Sequence, residues 1–222
     1  MGWFEFALAY VVFFLSHSLP VRPPVRPRLQ ARLGASGFTL AYSVLSLAVL
    51  SWLIGAAGRA PHVTLWDWAL WQVHVPLTVM GPVCLILALA IARPNPFSFG
   101  GARNDRFDPT RSGIVRWSRH PLLLALALWA AAHIVPNGDL AHVILFGTFT
   151  VFAVLGGRLI DRRKRREMGP GWQRMRDRVA YAPFFCLPAS WQGLAVRIAI
   201  GVSLYVALLW LHPWLFGVDP LA

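Results

Sequence analysis

The sequence has few charged residues. Only 14% of its 222 residues are charged, whereas soluble proteins carry about 25%, and 57% are apolar. This composition excludes an ordinary soluble domain. The excess of 21 Lys and Arg over nine Asp and Glu would suggest a nucleic-acid partner in a soluble chain. Here the basic residues lie in short blocks between apolar runs, which indicates a membrane protein and no nucleic acid.

Cysteine is also scarce. Cys84 and Cys186 are widely separated, so their spacing supports neither a disulfide framework nor a thiolate metal motif. The N-terminus lacks a positively charged region and a small-residue cleavage site, and we expect it to remain as a membrane span. With no visible repeat, the chain is predicted to form a single domain over residues 1–222.

Long apolar runs separate the basic blocks. A helix needs about 20 apolar residues to cross a bilayer, and the runs predict about six helices, of which the fourth is short. The predicted fold class is therefore an all-α polytopic transmembrane bundle in contact with the lipid bilayer. The predicted spans cover approximately 3–19, 36–57, 68–92, 120–135, 140–157 and 193–216.

The basic residues predict the orientation. All of the 21 except Arg59 lie in the segments 20–35, 93–119 and 158–192 or at the start of the sixth span. The positive-inside rule places these segments in the cytoplasm and both termini outside. The stretch 165–192 mixes arginine with aromatic residues such as Trp172. We expect it to lie along the cytoplasmic surface, attracted to anionic lipid; a solvated basic loop is the alternative.

Histidines are the candidate site residues, because an ionisable group within a span costs free energy. His17 ends the first span one turn after Phe13, and His133 ends the fourth beside the small residues 130–132. His120 lies at the cytoplasmic start of the fourth span. Two neutral imidazoles from facing helices can hold one haem iron axially. The alternative is that each ring hydrogen-bonds a backbone carbonyl.

Two aspartates have simpler interpretations. Asp139 follows Pro136-Asn137-Gly138 in a tight turn and is expected to cap the next helix. Asp161 precedes Arg162 and Arg163, and we expect an ion pair with one of them, which contributes little if it is exposed.

Several motifs resemble the NnrU family of bacterial membrane proteins. They are Arg119-His120-Pro121 followed by LLLALALWAAAH, PNGDL at 136–140, ILFGTF at 144–149, SHSLP at 16–20 and LHPWLFGVDPL at 211–221. The resemblance implies a multi-pass protein of the bacterial inner membrane, and in that membrane the outward termini predicted by the positive-inside rule would be periplasmic. It also implies a role in denitrification and nitrogen-oxide metabolism, with a nitrite or nitric oxide reductase system as partner.

A more distant resemblance is to the plant-type zeta-carotene isomerases. It lies in RWSRHPLLLALALWAAAH at 116–133, DRR at 161–163 and VAYAPF at 179–184. These enzymes isomerise a lipid-soluble substrate and bind haem b through two histidines, which would correspond to His17 and His133. The cysteine that this family has three residues before its second ligand is Ala130 here, so ligand exchange through a thiol is not expected.

The predicted depths of the histidines in the membrane do not decide which two of them would bind the iron. Straight spans place His17 and His133 about 9 Å from their span centres, in opposite directions, whereas two axial nitrogens on one iron lie about 4 Å apart. By depth alone, His17 matches His120 and His133 matches His74. His17 and His133 are the first choice by resemblance, and His120 is the reserve.

The Arg119-His120-Pro121 motif also resembles the isoprenylcysteine and phospholipid methyltransferases. That resemblance implies an S-adenosylmethionine site in which Arg119 and His120 contact anionic groups, with the loop 97–113 as a lid. The acidic pair of those enzymes has no clear counterpart, since Glu167 stands alone. A small-molecule transporter is a further functional alternative. The structural alternative is that Arg119-His120-Pro121 marks the start of a helix, where proline is favoured in the first turn.

Overall fold

A computed structural model describes residues 2–221. Helices account for 74% of residues 2–221, and these residues contain no strand, only an isolated bridge between Thr64 and Asp139. The predicted all-α fold is therefore confirmed. Contacts divide the chain into two compact units, Met1–Asp67 with Gly138–Leu145 and Trp68–Asn137 with Phe146–Ala222.

The first unit is built on two helices. Helix α1, Gly2–Ser18, packs against helix α2, Arg26–Gly58. Glu5 joins them, because its carboxylate accepts hydrogen bonds from Trp52 Nε1 at 3.1 Å and from the Arg59 guanidinium. The start of α1 is thereby fixed to the end of α2.

Helix α2 changes direction near its start. Gly34 has φ 72° and ψ 166° and so leaves the helical conformation. A positive φ is accessible to glycine without steric cost. The residues before this break include three of the arginines of the first basic block, and the residues after it carry the apolar run.

A short extended contact completes the first unit. Leu65 N donates to Gly138 O at 2.7 Å, and Leu140 N donates to Val63 O at 2.9 Å. A Cβ on Gly138 would lie 2.1 Å from Trp66 O, so this close approach of two backbones requires glycine.

Asp139 caps the helix that follows, as the sequence predicts. Its Oδ1 accepts from the backbone N–H groups of Ala141 at 3.1 Å and His142 at 3.3 Å. These are first-turn donors that have no partner within the helix itself.

The second unit contains the remaining helices. A 3₁₀ turn at Leu70–Val73 leads into α3, and two more 3₁₀ turns, Asn104–Arg106 and Pro109–Arg111, lie in the long loop between α3 and α4. Helix α6 begins in the first unit and continues in the second. The helices are α3 His74–Ala90, α4 Ile114–Trp117, α5 Pro121–Ile134, α6 Leu140–Met168, α7 Pro170–Tyr181 and α8 Trp191–Phe216.

Helix α3 packs against both α5 and α8. Gly201 of α8 is buried, and a Cβ there would lie 2.9 Å from Leu85 Cδ2 and 3.2 Å from its Cα. Tyr205 donates to Leu77 O at 2.8 Å, and Arg197 donates to the carbonyls at the end of α3. A small residue and two side-chain hydrogen bonds therefore hold α3 and α8 together, as is common between membrane helices.

The lengths of the helices support a membrane protein. Four helical segments of the described chain are long and apolar enough to cross a bilayer, namely Arg26–Gly58, Leu70–Ala90, Leu140–Met168 and Trp191–Phe216. Helix α1 has 17 residues and α5 has 14. At about 21 Å, α5 is shorter than a hydrocarbon core of about 30 Å.

The segment 158–192 differs from the prediction. Helix α6 continues to Met168 instead of ending near 157, and α7 follows immediately. Trp172, predicted to face the membrane interface, is only 1% exposed and lies in a buried cluster with Phe97, Val115 and Val179. This part of the chain therefore packs on the loop before α4 and is not a surface segment along its whole length.

Candidate functional site

A polar cluster lies where the loop after α3 meets the start of α5. Asn95 is buried, and its Nδ2 donates to Arg119 O at 3.0 Å, while its backbone N–H donates to Asn104 Oδ1 at 2.8 Å. Its Oδ1 accepts from Phe97 N at 3.1 Å. One amide side chain thus fixes the loop against the backbone that precedes α5.

Asp161 of α6 is the centre of this cluster. Its Oδ2 lies 2.8 Å from Arg119 Nη2, and its Oδ1 lies 3.1 Å from His120 Nε2. On the other side of the ring, His120 Nδ1 lies 3.0 Å from Ser98 Oγ. Gly157, one turn before Asp161, leaves room for the imidazole, because a Cβ there would lie 3.1 Å from His120 Cδ2. We call Ser98, Arg119, His120 and Asp161 the polar cluster.

The chemistry of these groups fixes the proton positions. A carboxylate only accepts hydrogen bonds, so the Nε2–H of a neutral imidazole donates to Asp161 and the Ser98 hydroxyl donates to Nδ1. Burial lowers the pKa of His120, which precedes the first residue of α5, although the Asp161 carboxylate acts in the opposite direction. Both ring nitrogens are engaged, and iron could bind His120 only if one of these bonds broke.

The polar cluster was only half predicted. Sequence reasoning selected Arg119 and His120 but expected Asp161 to pair with Arg162 or Arg163. That expectation was wrong, because the carboxylate contacts Arg119 and His120 instead. Asn95 and Ser98 were missed, although polar residues directly after an apolar run, as in Asn95-Pro96-Phe97-Ser98, are a usable signal.

His17 lies in the last turn of α1. Its Nδ1 is 2.8 Å from the carbonyl oxygen of Phe13, and the two rings pack with centroids 4.0 Å apart. Tyr42 donates to the backbone oxygen of His17 at 3.2 Å. In the described structure Nε2 of His17 makes no hydrogen bond.

His133 has the same local arrangement near the end of α5. Its Nδ1 is 2.7 Å from the carbonyl oxygen of Trp129. The imidazole packs between Trp129 and Phe146, with centroids 5.5 Å and 5.4 Å away, and Asn137 donates to the His133 carbonyl. Within residues 2–221 its Nε2 has no hydrogen-bond partner.

The structure separates two of the candidate histidines. His120 precedes α5 and His133 lies in its last turn, which places them about 20 Å apart along a straight helix. These two residues therefore do not form one axial pair. Among residues 2–221, no group of three or more His, Cys, Asp or Glu side chains is placed to hold a metal ion.

Comparison with known families identifies the chain. A family model described as NnrU protein matches residues 5–220. The chain belongs to the NnrU family. Comparisons with curated proteins and with solved structures give no match.

NnrU membership confirms the resemblance seen in the sequence. The motifs at 16–20 and 119–149 lie within the matched residues, and the motif at 211–221 lies within them up to residue 220. In this NnrU chain the block 119–149 contains part of the polar cluster together with His133. The similarities to isomerases and methyltransferases draw on the same block and stay predictions.

Proposed function

We propose that this NnrU-family membrane protein binds haem b through Nε2 of His17 and Nε2 of His133. The supporting observation is one contact that both imidazoles share, although His17 Nδ1 also lies 3.3 Å from Ser16 Oγ. In each, Nδ1 lies at hydrogen-bond distance from the carbonyl oxygen four residues earlier, 2.8 Å from Phe13 O and 2.7 Å from Trp129 O.

This backbone hydrogen bond is the alternative to haem ligation stated in the sequence analysis, and it is also compatible with an iron ligand. A hydrogen bond from Nδ1–H to a carbonyl oxygen fixes the tautomer and leaves the lone pair on Nε2 available to a metal. Haem would need only two nitrogens from the chain, because the porphyrin would supply the other four, so a cluster of three protein ligands is not required. When bound, haem would supply redox and ligand-binding chemistry at its iron.

The residues of the chain would orient the two imidazoles. The carbonyl groups of Phe13 and Trp129 set the ring planes through their hydrogen bonds. The Phe13 ring beside His17 and the Phe146 ring beside His133 provide apolar contacts.

We infer that such a site would serve nitrogen-oxide metabolism, the process with which the NnrU resemblance is associated, in support of a reductase system. Isomerisation of a lipid-soluble substrate is the other role we consider, by resemblance to the zeta-carotene isomerases. The NnrU resemblance further leads us to propose the bacterial inner membrane as the location of the site. By the positive-inside rule, both termini would be periplasmic.

The experiment is a haem titration of the full chain. The protein is purified in detergent after growth with a haem precursor, and the ratio of haem to protein is measured from the pyridine complex and from a band at about 400–430 nm. His17→Ala and His133→Ala should each lower that ratio, whereas His62→Ala, which removes an exposed imidazole that contacts Thr64, should not.

His120→Ala decides the pairing. It should retain haem if His17 and His133 are the ligands. Loss of haem in this variant, with an unchanged size-exclusion profile, would transfer a ligand role to His120. Wild-type protein without haem after supplementation would refute the proposal, and so would His17→Ala and His133→Ala variants that keep the haem content of the wild type.

One observation favours a second function, S-adenosylmethionine-dependent methyl transfer. The loop that begins at Phe97 is held against Arg119 and His120 through Asn95 and Ser98, as a cofactor lid would be. Calorimetry with S-adenosylmethionine tests this. Binding to wild-type protein that is lost in His120→Ala but kept in His62→Ala would favour the methyltransferase; no binding to the wild type would exclude it.

A further inference from the structure

The indole of Trp172 is buried without a hydrogen-bond acceptor. Trp172 lies in the first turn of α7 and is 1% exposed. Its Nε1 is among the buried polar atoms that have no partner in the described structure. A buried donor without an acceptor costs free energy, so this position favours a ligand that supplies one.

Three guanidinium groups surround the same indole. The Cζ atoms of Arg165, Arg176 and Arg119 lie 4.3, 5.4 and 5.9 Å from the ring centroid of Trp172. They come from α6, from α7 and from the residues before α5. Stacking on an aromatic face occupies the flat side of a guanidinium and leaves its N–H edge free to bind an anion.

The charges around Trp172 are not balanced. Arg119 pairs with Asp161, and Arg176 lies 3.3 Å from Asp177. Arg165 has no carboxylate within ion-pair distance in the described chain. Three cations therefore face two carboxylates, and one of those carboxylates is shared with His120.

A second unpartnered donor belongs to the same region. The Ser112 hydroxyl is buried and has no hydrogen-bond partner among the described residues. Its backbone oxygen accepts from Val115 N at 3.1 Å, and Val115 lies in one buried cluster with Trp172. The N-terminus of α7, a helix of 12 residues, adds a positive helix dipole beside the indole.

We propose that Arg165, Arg176 and Trp172 form a binding site for a phosphate group. Guanidinium groups bind phosphate oxygens through paired N–H donors, and the indole N–H would donate to a further oxygen. The group belongs either to an anionic phospholipid headgroup or to a soluble phosphate ester, which present the same oxygens to these donors. The site shares no residue with the proposed haem ligands.

The test uses the full-length protein in maltoside detergent, which carries no phosphate. Inorganic phosphate is titrated by calorimetry at constant ionic strength, with sodium chloride as the reference. Phosphatidic acid is added in a separate sample, and its retention is measured by native mass spectrometry. Binding of inorganic phosphate identifies a soluble ester as the source, and retention of phosphatidic acid alone identifies a headgroup.

Three variants locate the site. Arg165→Gln should weaken binding about tenfold, since it removes a charged hydrogen bond. Trp172→Phe keeps an aromatic ring and removes the N–H, and should weaken binding a few fold. Arg166→Gln removes an equal charge one residue away from Arg165 and should change affinity by less than about twofold.

Two results would overturn the proposal. One is that the wild-type protein binds neither inorganic phosphate nor phosphatidic acid. The other is that Arg165→Gln and Arg166→Gln weaken binding equally, which would mean diffuse attraction to a basic surface. If Trp172→Phe fails to fold, Arg165→Gln still tests the site. Arg165 is exposed, so its substitution should leave the fold intact.

Discussion

Nε2 of His120 lies 3.1 Å from Oδ1 of Asp161, although the two residues are 41 positions apart in the sequence. Arg119 occupies the other carboxylate oxygen at 2.8 Å. Asp161 is therefore the common partner of two neighbouring residues at the start of α5, and it ties that start to α6.

Replacement of Asp161 by Asn should destabilise the protein. The variant leaves the largely buried His120 ring and the Arg119 guanidinium without their anion. Because Arg119 is 38% exposed at its side chain, we expect a loss of only about 1–3 kcal/mol. This corresponds to a fall in melting temperature of roughly 2–10 °C, measured in detergent by thermal size exclusion.

The matched control for Asp161→Asn is Glu167→Gln. Glu167 lies on the same helix and pairs with Arg163 and Lys164, but it is 39% exposed. An exposed pair of this kind contributes about 0–1 kcal/mol. Equal melting temperatures for the two variants would contradict the role assigned to Asp161.

Stability should fall as the pH drops below the ordinary histidine value of 6.5. Burial lowers the pKa of His120 in the folded protein, so in this range the unfolded chain binds more protons than the folded chain. The melting temperature should therefore decrease from pH 7.5 to pH 5.5. His120→Asn should reduce this dependence, and an unchanged slope in that variant would argue against the buried, neutral imidazole.

Gly201→Ala should loosen the contact between α3 and α8. The added methyl group would lie 2.9 Å from Leu85 Cδ2 and 3.3 Å from Cys84 O, and overpacking of this kind costs about 1–3 kcal/mol. Gly147→Ala is the control, because its Cβ would meet nothing within 4 Å. Alanine favours a helix over glycine, so the control should melt at the same or a higher temperature.

Arg197→Gln should destabilise the end of α3. Arg197 of α8 donates to the carbonyl oxygen of Ala88 in the last turn of α3 and to that of Ile91, the residue after the helix, and neither oxygen has a partner within α3. Loss of two charged hydrogen bonds should cost about 1.5–3 kcal/mol. Arg174→Gln, on the exposed face of α7, should leave the melting temperature unchanged within error.

Hydropathy predicted most helices because an apolar run long enough to span a bilayer is typical of a transmembrane helix. It missed the last part of α6, residues 158–168, because six of these eleven positions are basic and such a run is typical of a loop. Arginine is nevertheless a good helix former, and neither glycine nor proline interrupts this stretch before Gly169. The helix therefore continues.

The polar cluster was harder to predict. Arg119 and His120 are adjacent, so the motif was visible in the sequence. Their partner Asp161 depends on how α5 packs on α6, which sequence distance does not report. Trp172 shows a related limit, because an indole among arginines fits a lipid interface as well as a buried stack, and only the packing of Phe97 and Val179 distinguishes them.

The break at Gly34 has a consequence for how α2 meets the lipid. The residues from 35 to 58 still measure about 36 Å, enough to cross the hydrocarbon without the preceding turns. The turns that carry Arg26, Arg28 and Arg32 are thus released from the spanning axis and can lie flat among the headgroups. A β-branched residue at position 34 would be strained at this positive φ and would therefore disfavour the break.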